Sequence, residues 1–267
     1  MILIALFLKK NLSQLKLFIK ILVGLYIIIC VGLYITQEKF IFYPHPLNDK
    51  YTNTDEIRIE VDSEIELHCL WQKRKNSKGV LLYFHGNKGN VSRGAYQTSR
   101  FNPKAYDVFI PDYRGYGKSD GHISSDIQLL TDANKIYSFL KEHYPENKIV
   151  IVGYSLGSGM ASYVASKNNP HRLFLVAPFT SLMDIKNQYL WMIPNFVLKY
   201  KLSNKKYLKE VTAPVTIIHG TNDTVVDYVY SEELKSLYPD LELITLNGVG
   251  HRDVIFKLSD IMDKRLD

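Results

Sequence analysis

Hydrophobic and polar positions change rhythm once along the chain, near residue 36. Before that point Leu17 to Ile35 is apolar except for Lys20, nineteen residues that rise roughly 28 Å as a helix against about 30 Å of bilayer hydrocarbon. Beyond it, short apolar runs alternate with amphipathic stretches. Antiparallel strands are predicted around Ile57 to Val61 and Glu64 to Trp71, meeting at a turn near Asp62-Ser63. The runs Gly79 to Phe84, Lys148 to Val152, Arg172 to Val176, Pro214 to His219 and Leu241 to Leu246 read as strands; the unbroken, β-branched ones suit a parallel sheet covered on both faces. Helices are predicted over Val91 to Phe101, Ser125 to His143, Leu156 to Lys167, Tyr228 to Leu237 and Asp253 to Asp263. Such alternation of βαβ units predicts an α/β fold with a mostly parallel central sheet. One stretch, 179 to 210, breaks the rhythm, with Trp191, Met192, Pro194 and Phe196 among lysines.

The first apolar stretch reads as a retained anchor. Tyr34-Ile35-Thr36-Gln37 offers no small-x-small site for a signal peptidase, and Ile27-Ile28-Ile29 are too bulky for Cys30 to serve as a lipoprotein acceptor. Lys20 can snorkel to the interface. The division expected is therefore residues 1–36 as a cytoplasmic segment and transmembrane anchor, and 37–267 as one folded domain. The chain has 267 residues, 46% of them hydrophobic, which is ample for that domain. Net charge is +6, and Lys9, Lys10, Lys16 and Lys20 all precede the first acid, Glu38. That asymmetry places the N-terminus in the cytoplasm and the domain on the other face of the membrane. No basic and aromatic stripe accompanies the charge, so nucleic acid is not an expected partner. Cys69, on a predicted strand and with no partner outside the anchor, reads as buried and inert.

Chemistry enters at Gly153-Tyr154-Ser155-Leu156-Gly157, a Gly-x-Ser-x-Gly pentapeptide between a strand and a helix. A turn this tight needs flanking residues without bulk, strains the serine backbone and exposes its hydroxyl at the helix N-terminus. A nucleophilic serine requires a base, and the base a carboxylate to fix its tautomer. With such an elbow the acid and then the histidine follow on loops at the carboxyl ends of later strands. His171 opens a strand and His219 ends one, whereas His251 lies on the glycine-rich loop after the last strand. Asp223, on the turn after Ile218-His219, is the preferred acid; Asp184, eight residues beyond the preceding strand, is its rival. Asp227 reads as the cap of the next helix. The two oxyanion donors expected are the backbone N–H of Leu156, after the nucleophile, and that of Asn87, in His85-Gly86-Asn87 after an apolar strand.

Taken in order, Phe40 to Pro44, His85 to Asn90, Pro111 to Ser119, Gly153 to Gly157, Ala177 to Leu182, His219 to Asp223 and Gly250-His251 resemble the single-pass membrane branch of the α/β-hydrolases, related to serine aminopeptidase-like and depalmitoylase-like enzymes. The resemblance implies the α/β-hydrolase fold, a Ser155, Asp223 and His251 triad, no metal or other cofactor, and acyl transfer to water from a small-molecule or lipid-like acyl substrate. It also puts 179–210 where hydrolases insert a cap: an apolar lid for an acyl chain, or aromatics packed on the sheet. Lys88 and Arg252 depart from the family pattern; Arg252 is expected to face solvent, and Arg114 to pin loops. A short-peptide peptidase and an idle hydrolase-fold scaffold are the alternatives, the latter expected to lack a triad member. The oligomeric state is not legible.

Overall fold

The computed structural model describes residues 2–46, 55–101 and 105–266. Helix α1 (Ile2–Thr36) is far longer than the apolar stretch alone, and α2 (Glu38–Ile41) follows after one residue. Within α1, Asn11–Thr36 is, among the described residues, the one helix long and apolar enough to cross a membrane. The side chains of Lys9 and Lys10 lie outside the described residues.

Strand β1 (Tyr43–Pro44) leads past the hairpin of β2 (Glu56–Asp62) and β3 (Ile65–Gln72) to β4 (Gly79–Phe84). Then come the short β5 (Lys88–Gly89), α3 (Val91–Phe101), β6 (Tyr106–Pro111), α4 (Asp126–Lys141), β7 (Ile149–Tyr154), α5 (Gly157–Lys167) and β8 (Arg172–Val176). The chain ends with α6 (Leu182–Tyr189), α7 (Asn204–Tyr207), β9 (Val215–Gly220), α8 (Val229–Leu237), β10 (Glu242–Leu246) and α9 (Leu258–Leu266). Eight strands form one sheet in the order β2-β3-β6-β4-β7-β8-β9-β10. Both pairings of β3 are antiparallel and the others are parallel.

Every residue of β4, β6 and β7 is buried, as strands covered on both faces require. Side chains of α4, α5 and α8 fill one apolar layer, and those of α3 and α9 the other. Strand β6 escapes the apolar pattern because Asp107 interrupts it; that carboxylate is buried, accepting the Arg74 N–H at 2.7 Å and the Tyr144 hydroxyl. Helix α4 starts where Ser125 accepts the Gln128 N–H at 3.1 Å, an ordinary N-cap. The final helix begins later than the sequence predicts, because Asp253–Lys257 winds as a 3-10 turn before α9.

From β4 the chain moves out to β6 and then crosses to β7 on the other side of β4. The carboxyl ends of β4 and β7 therefore flank a topological switch point, the crevice where open α/β sheets hold their ligands.

Candidate active site

Ser155 stands at that switch point with φ +53°, a left-handed conformation rare for a residue with a side chain. Close packing enforces it. A Cβ on Gly153 would lie 2.5 Å from the Ala161 Cβ, and one on Gly157 would strike the Phe84 carbonyl oxygen. The Ser155 N–H donates to Val176 O at 2.9 Å, which fastens the turn to β8.

The His251 Nε2 lies 3.1 Å from Ser155 Oγ, and its Nδ1 lies 2.6 Å from Asp223 Oδ2. The Tyr154 hydroxyl donates to His251 O at 3.1 Å, tying the histidine loop to the residue before the serine. Asp223 Oδ1 accepts the N–H groups of Val225 at 2.8 Å and Val226 at 2.9 Å. Burial pushes the Asp223 carboxyl up, but donation from His219 and His251, aided by the Val226 N–H, outweighs it and holds the carboxyl well below the usual carboxylate range. Ser155, Asp223 and His251 thus meet in one hydrogen-bonded chain.

Asp184 is engaged elsewhere. Its Oδ2 accepts Thr180 Oγ1 at 2.8 Å and Ser181 Oγ at 2.6 Å, and pairs with Lys205 Nζ at 2.7 Å. It sits in the first turn of α6, where Ser181 is the N-cap.

Leu156 occupies the N-cap position of α5, so its N–H lies at the positive end of the helix. Gly86 lies over the elbow, a Cβ there falling 3.6 Å from the Ser155 Cβ. The Gly86 carbonyl accepts the His85 Nδ1–H at 2.7 Å. Because C=O and N–H of a trans peptide point opposite ways, this bond sets the direction of the Asn87 N–H. Neither the Asn87 nor the Leu156 N–H has an acceptor among the described residues. The loop is braced further by Tyr113, whose hydroxyl donates to His85 O at 2.6 Å, and by Tyr116, whose hydroxyl donates to Asn87 O at 2.8 Å.

His219 is the residue that sequence reasoning set aside. It is buried, shares its Nε2–H between Asp223 Oδ2 at 3.1 Å and Val226 O at 3.0 Å, and accepts the Ser231 hydroxyl at Nδ1 across 2.6 Å. The i,i+4 spacing of His219 and Asp223 across a tight turn was the signal available. Arg114 grips Asp132 through Nε at 2.6 Å and Nη2 at 2.9 Å, a structural fork between loop and α4. Lys88 and Arg252 are exposed. Cys69 is buried, and burial pushes its thiol well up. Among the described residues no group of three or more His, Cys, Asp or Glu is placed to hold a metal ion.

The segment 179–210 does not fold as one helix, and its aromatics divide: Phe179, Tyr200 and Tyr207 are buried in the core, whereas Trp191 and Phe196 are not. An antiparallel bridge between Ser181 and Ser203 pinches it at the base. Asn204 clamps that base to α5 through Ser158 Oγ at 2.8 Å and Ser162 Oγ at 2.6 Å. Trp191 and Phe196 are 74% and 79% exposed, so packing on the sheet is ruled out for both.

A strand-to-helix elbow at a switch point of this sheet has counterparts among known proteins. The family described as serine aminopeptidase, S33 matches residues 75–209. The chain belongs to the α/β-hydrolases. This hydrolase is 31% identical to the Escherichia coli protein YfhR over 67% of its own length and 68% of that protein's. It is 26% identical to the lysophosphatidylserine lipase ABHD12 of Macaca fascicularis, over 61% of the hydrolase and 46% of the lipase. Among solved structures, an esterase of Pyrococcus furiosus superposes with a TM-score of 0.65 at 20% identity, covering 84% of the hydrolase and 96% of the esterase.

Proposed function

We propose that the protein is a membrane-anchored serine hydrolase that cleaves an ester, thioester or amide of a lipid-like acyl substrate through an acyl-enzyme. The observation that carries this reading is the unbroken chain from Ser155 Oγ to His251 to Asp223, 3.1 and 2.6 Å in its two links, on a strained elbow. Ser155 Oγ attacks the carbonyl carbon while His251 Nε2 takes its proton; Asp223 keeps Nδ1 protonated and stabilises the imidazolium. The oxyanion is held by the N–H groups of Leu156 and Asn87. His251 then gives the proton to the leaving group, the acyl-enzyme forms, and water activated by the same histidine releases the acid. The chemistry of acyl transfer is supported by membership of the α/β-hydrolases, and the lipid-like substrate by the likeness to a lysophosphatidylserine lipase.

In this reading α1 crosses the membrane with the N-terminus in the cytoplasm and the domain on the opposite face, as the early lysines favour. A fluorophosphonate tests the mechanism: it should label Ser155, and Ser155→Ala should abolish labelling and lower turnover on the order of a thousandfold or more. A correctly folded alanine variant that keeps most of its esterase activity sinks the mechanism. Equal or better turnover of aminoacyl amides than of acyl esters would favour the peptidase alternative.

A further inference from the structure

The excursion between Ser181 and Ser203 leans on the end of the anchor helix. Gln37, 7% exposed, donates Nε2 to Val197 O at 2.9 Å and accepts the Lys199 N–H at Oε1, also at 2.9 Å. Glu38 takes Lys199 Nζ at 2.9 Å and the Tyr200 hydroxyl at 3.1 Å. Further back on α1, the Tyr26 hydroxyl donates to Met192 O at 2.6 Å. Tyr26 lies ten residues before Thr36, roughly 15 Å along a helix axis. If α1 spans a bilayer, the tip of the excursion stands at hydrocarbon depth beside it.

The surface of that tip has the matching chemistry. Tyr189, Leu190, Trp191, Met192 and Phe196 are all exposed, next to a helix whose own apolar side chains are exposed. Soluble surfaces rarely carry so large a continuous apolar patch. Between helix and tip lies an apolar cavity of about 440 Å³, within the range of ligand pockets. Leu33, Phe40 and Ile41 wall it from the anchor side, and Leu182, Ile185 and Val197 from the excursion. One of its lining residues links it to the oxyanion loop: Ile41 O accepts Asn87 Nδ2 at 3.4 Å, and β1, just beyond, pairs with β5 next to Asn87.

Resting on the hydrolase reading above, we propose that this cavity holds the acyl chain of a lipid drawn sideways from the leaflet, with the anchor helix itself forming one wall of the substrate site. A second copy of the chain or a partner helix fits less well, since the tip is already at the depth where lipid tails are the solvent and the cavity opens beside them. The anchor then has two duties, retention and recognition.

Two variants of the full-length protein, each filling the cavity from one side, test the proposal: Leu33→Trp and Ile185→Trp. Both are assayed in detergent on p-nitrophenyl butyrate and p-nitrophenyl palmitate. In each variant kcat/KM for palmitate should fall about tenfold or more, chiefly through KM, while butyrate turnover and fluorophosphonate labelling stay within about twofold. An unchanged palmitate-to-butyrate ratio overturns the proposal. If Ile185→Trp loses both substrates and the label together, it has misfolded, and Leu33→Trp, outside the sheet core, decides alone. A wild-type protein that cleaves neither ester through Ser155 counts against the hydrolase reading instead. Depth is read independently: with brominated phosphatidylcholine in vesicles, Trp191 fluorescence should be quenched and Trp191→Phe should lose that quenching. No quenching of the wild type removes the leaflet as the source of the ligand.

Discussion

His219 donates to the same Asp223 carboxylate oxygen that receives His251, at 3.1 Å against 2.6 Å. One oxygen thus serves a buried histidine that never reaches solvent and a second that faces Ser155. His219 is held from behind by Ser231, so it fixes the carboxylate rather than competing for it. Replacing it with phenylalanine removes its bonds to Asp223, Val226 O and Ser231 at similar bulk and leaves Ser231 unpartnered. His219→Phe is expected to cost about 1–3 kcal/mol of stability and to lower kcat/KM roughly tenfold, less than any change at Asp223 itself. Thermal unfolding and steady-state kinetics on the purified variant check both numbers.

Asp223→Asn should be far more damaging than Asp184→Asn. Asparagine at 223 presents the wrong partner to His251 Nδ1 and favours the wrong tautomer, a loss on the order of a thousandfold to ten-thousandfold in kcat. Asp184 binds Thr180, Ser181 and Lys205, so its replacement should act on the stability of α6 and leave kcat within a few-fold. The reverse ranking moves the acid to the earlier loop.

Stability in acid should carry the mark of Asp223. Its folded carboxyl lies below the unfolded value of about 3.9, held there against burial by donation from His219 and His251. A depressed carboxyl contributes stability that is fully present above the unfolded value and is lost as pH falls through the folded one. Between about pH 5 and pH 3 the wild-type melting temperature should therefore fall more steeply than that of Asp223→Asn, beyond what the other carboxylates cause in both. Parallel curves would show that the carboxylate is not held in this way.

The His85 to Gly86 hydrogen bond gives a separate handle on the oxyanion loop. His85→Ala frees the peptide that carries the Asn87 N–H, and a misaimed donor weakens only the transition state. A fall in kcat of about tenfold to a hundredfold with KM nearly unchanged is expected. A rise in KM alone would assign His85 to substrate binding.

The protein should remain with membranes through a high-salt wash, since an interfacial helix held by its lysines would respond to screening whereas a spanning helix does not. Protease added outside sealed, correctly oriented cells should cut the domain. Complete protection until the membrane is opened would reverse the proposed orientation.

The parts of the site that were legible in the sequence are those bound to strand ends. Ser155, Asp223 and His251 each follow a strand that the apolar pattern marks, and parallel strands deliver their carboxyl ends to one edge of the sheet. His219 was not legible, because a histidine closing an apolar strand looks the same whether it fills the core or grips a carboxylate. The pairing of β1 with β5 was invisible for another reason: two-residue strands have no periodicity. The exposed tip at Trp191 and Phe196 was ambiguous in sequence because apolar residues among lysines suit a sheet face and a lid over an acyl chain equally. Their exposure, 74% and 79%, rules out the sheet face.

Among the described residues α1 runs into the body of the protein without a free tether, and if α1 spans a membrane as proposed, that sets the working radius of the enzyme. Gln37 is buried between the excursion and the helix end, and Tyr43-Pro44 is laced to Lys88-Gly89 a few residues later. An enzyme on a floppy stalk sweeps a volume and meets whatever diffuses into it. In the proposed reading the height and tilt of Ser155 above the bilayer are dictated by how α1 sits in it. On that reading, bonds carried far out on a soluble partner would be beyond reach, bonds near the headgroup plane would come to a fixed nucleophile, and bilayer thickness would become a variable to which turnover should respond.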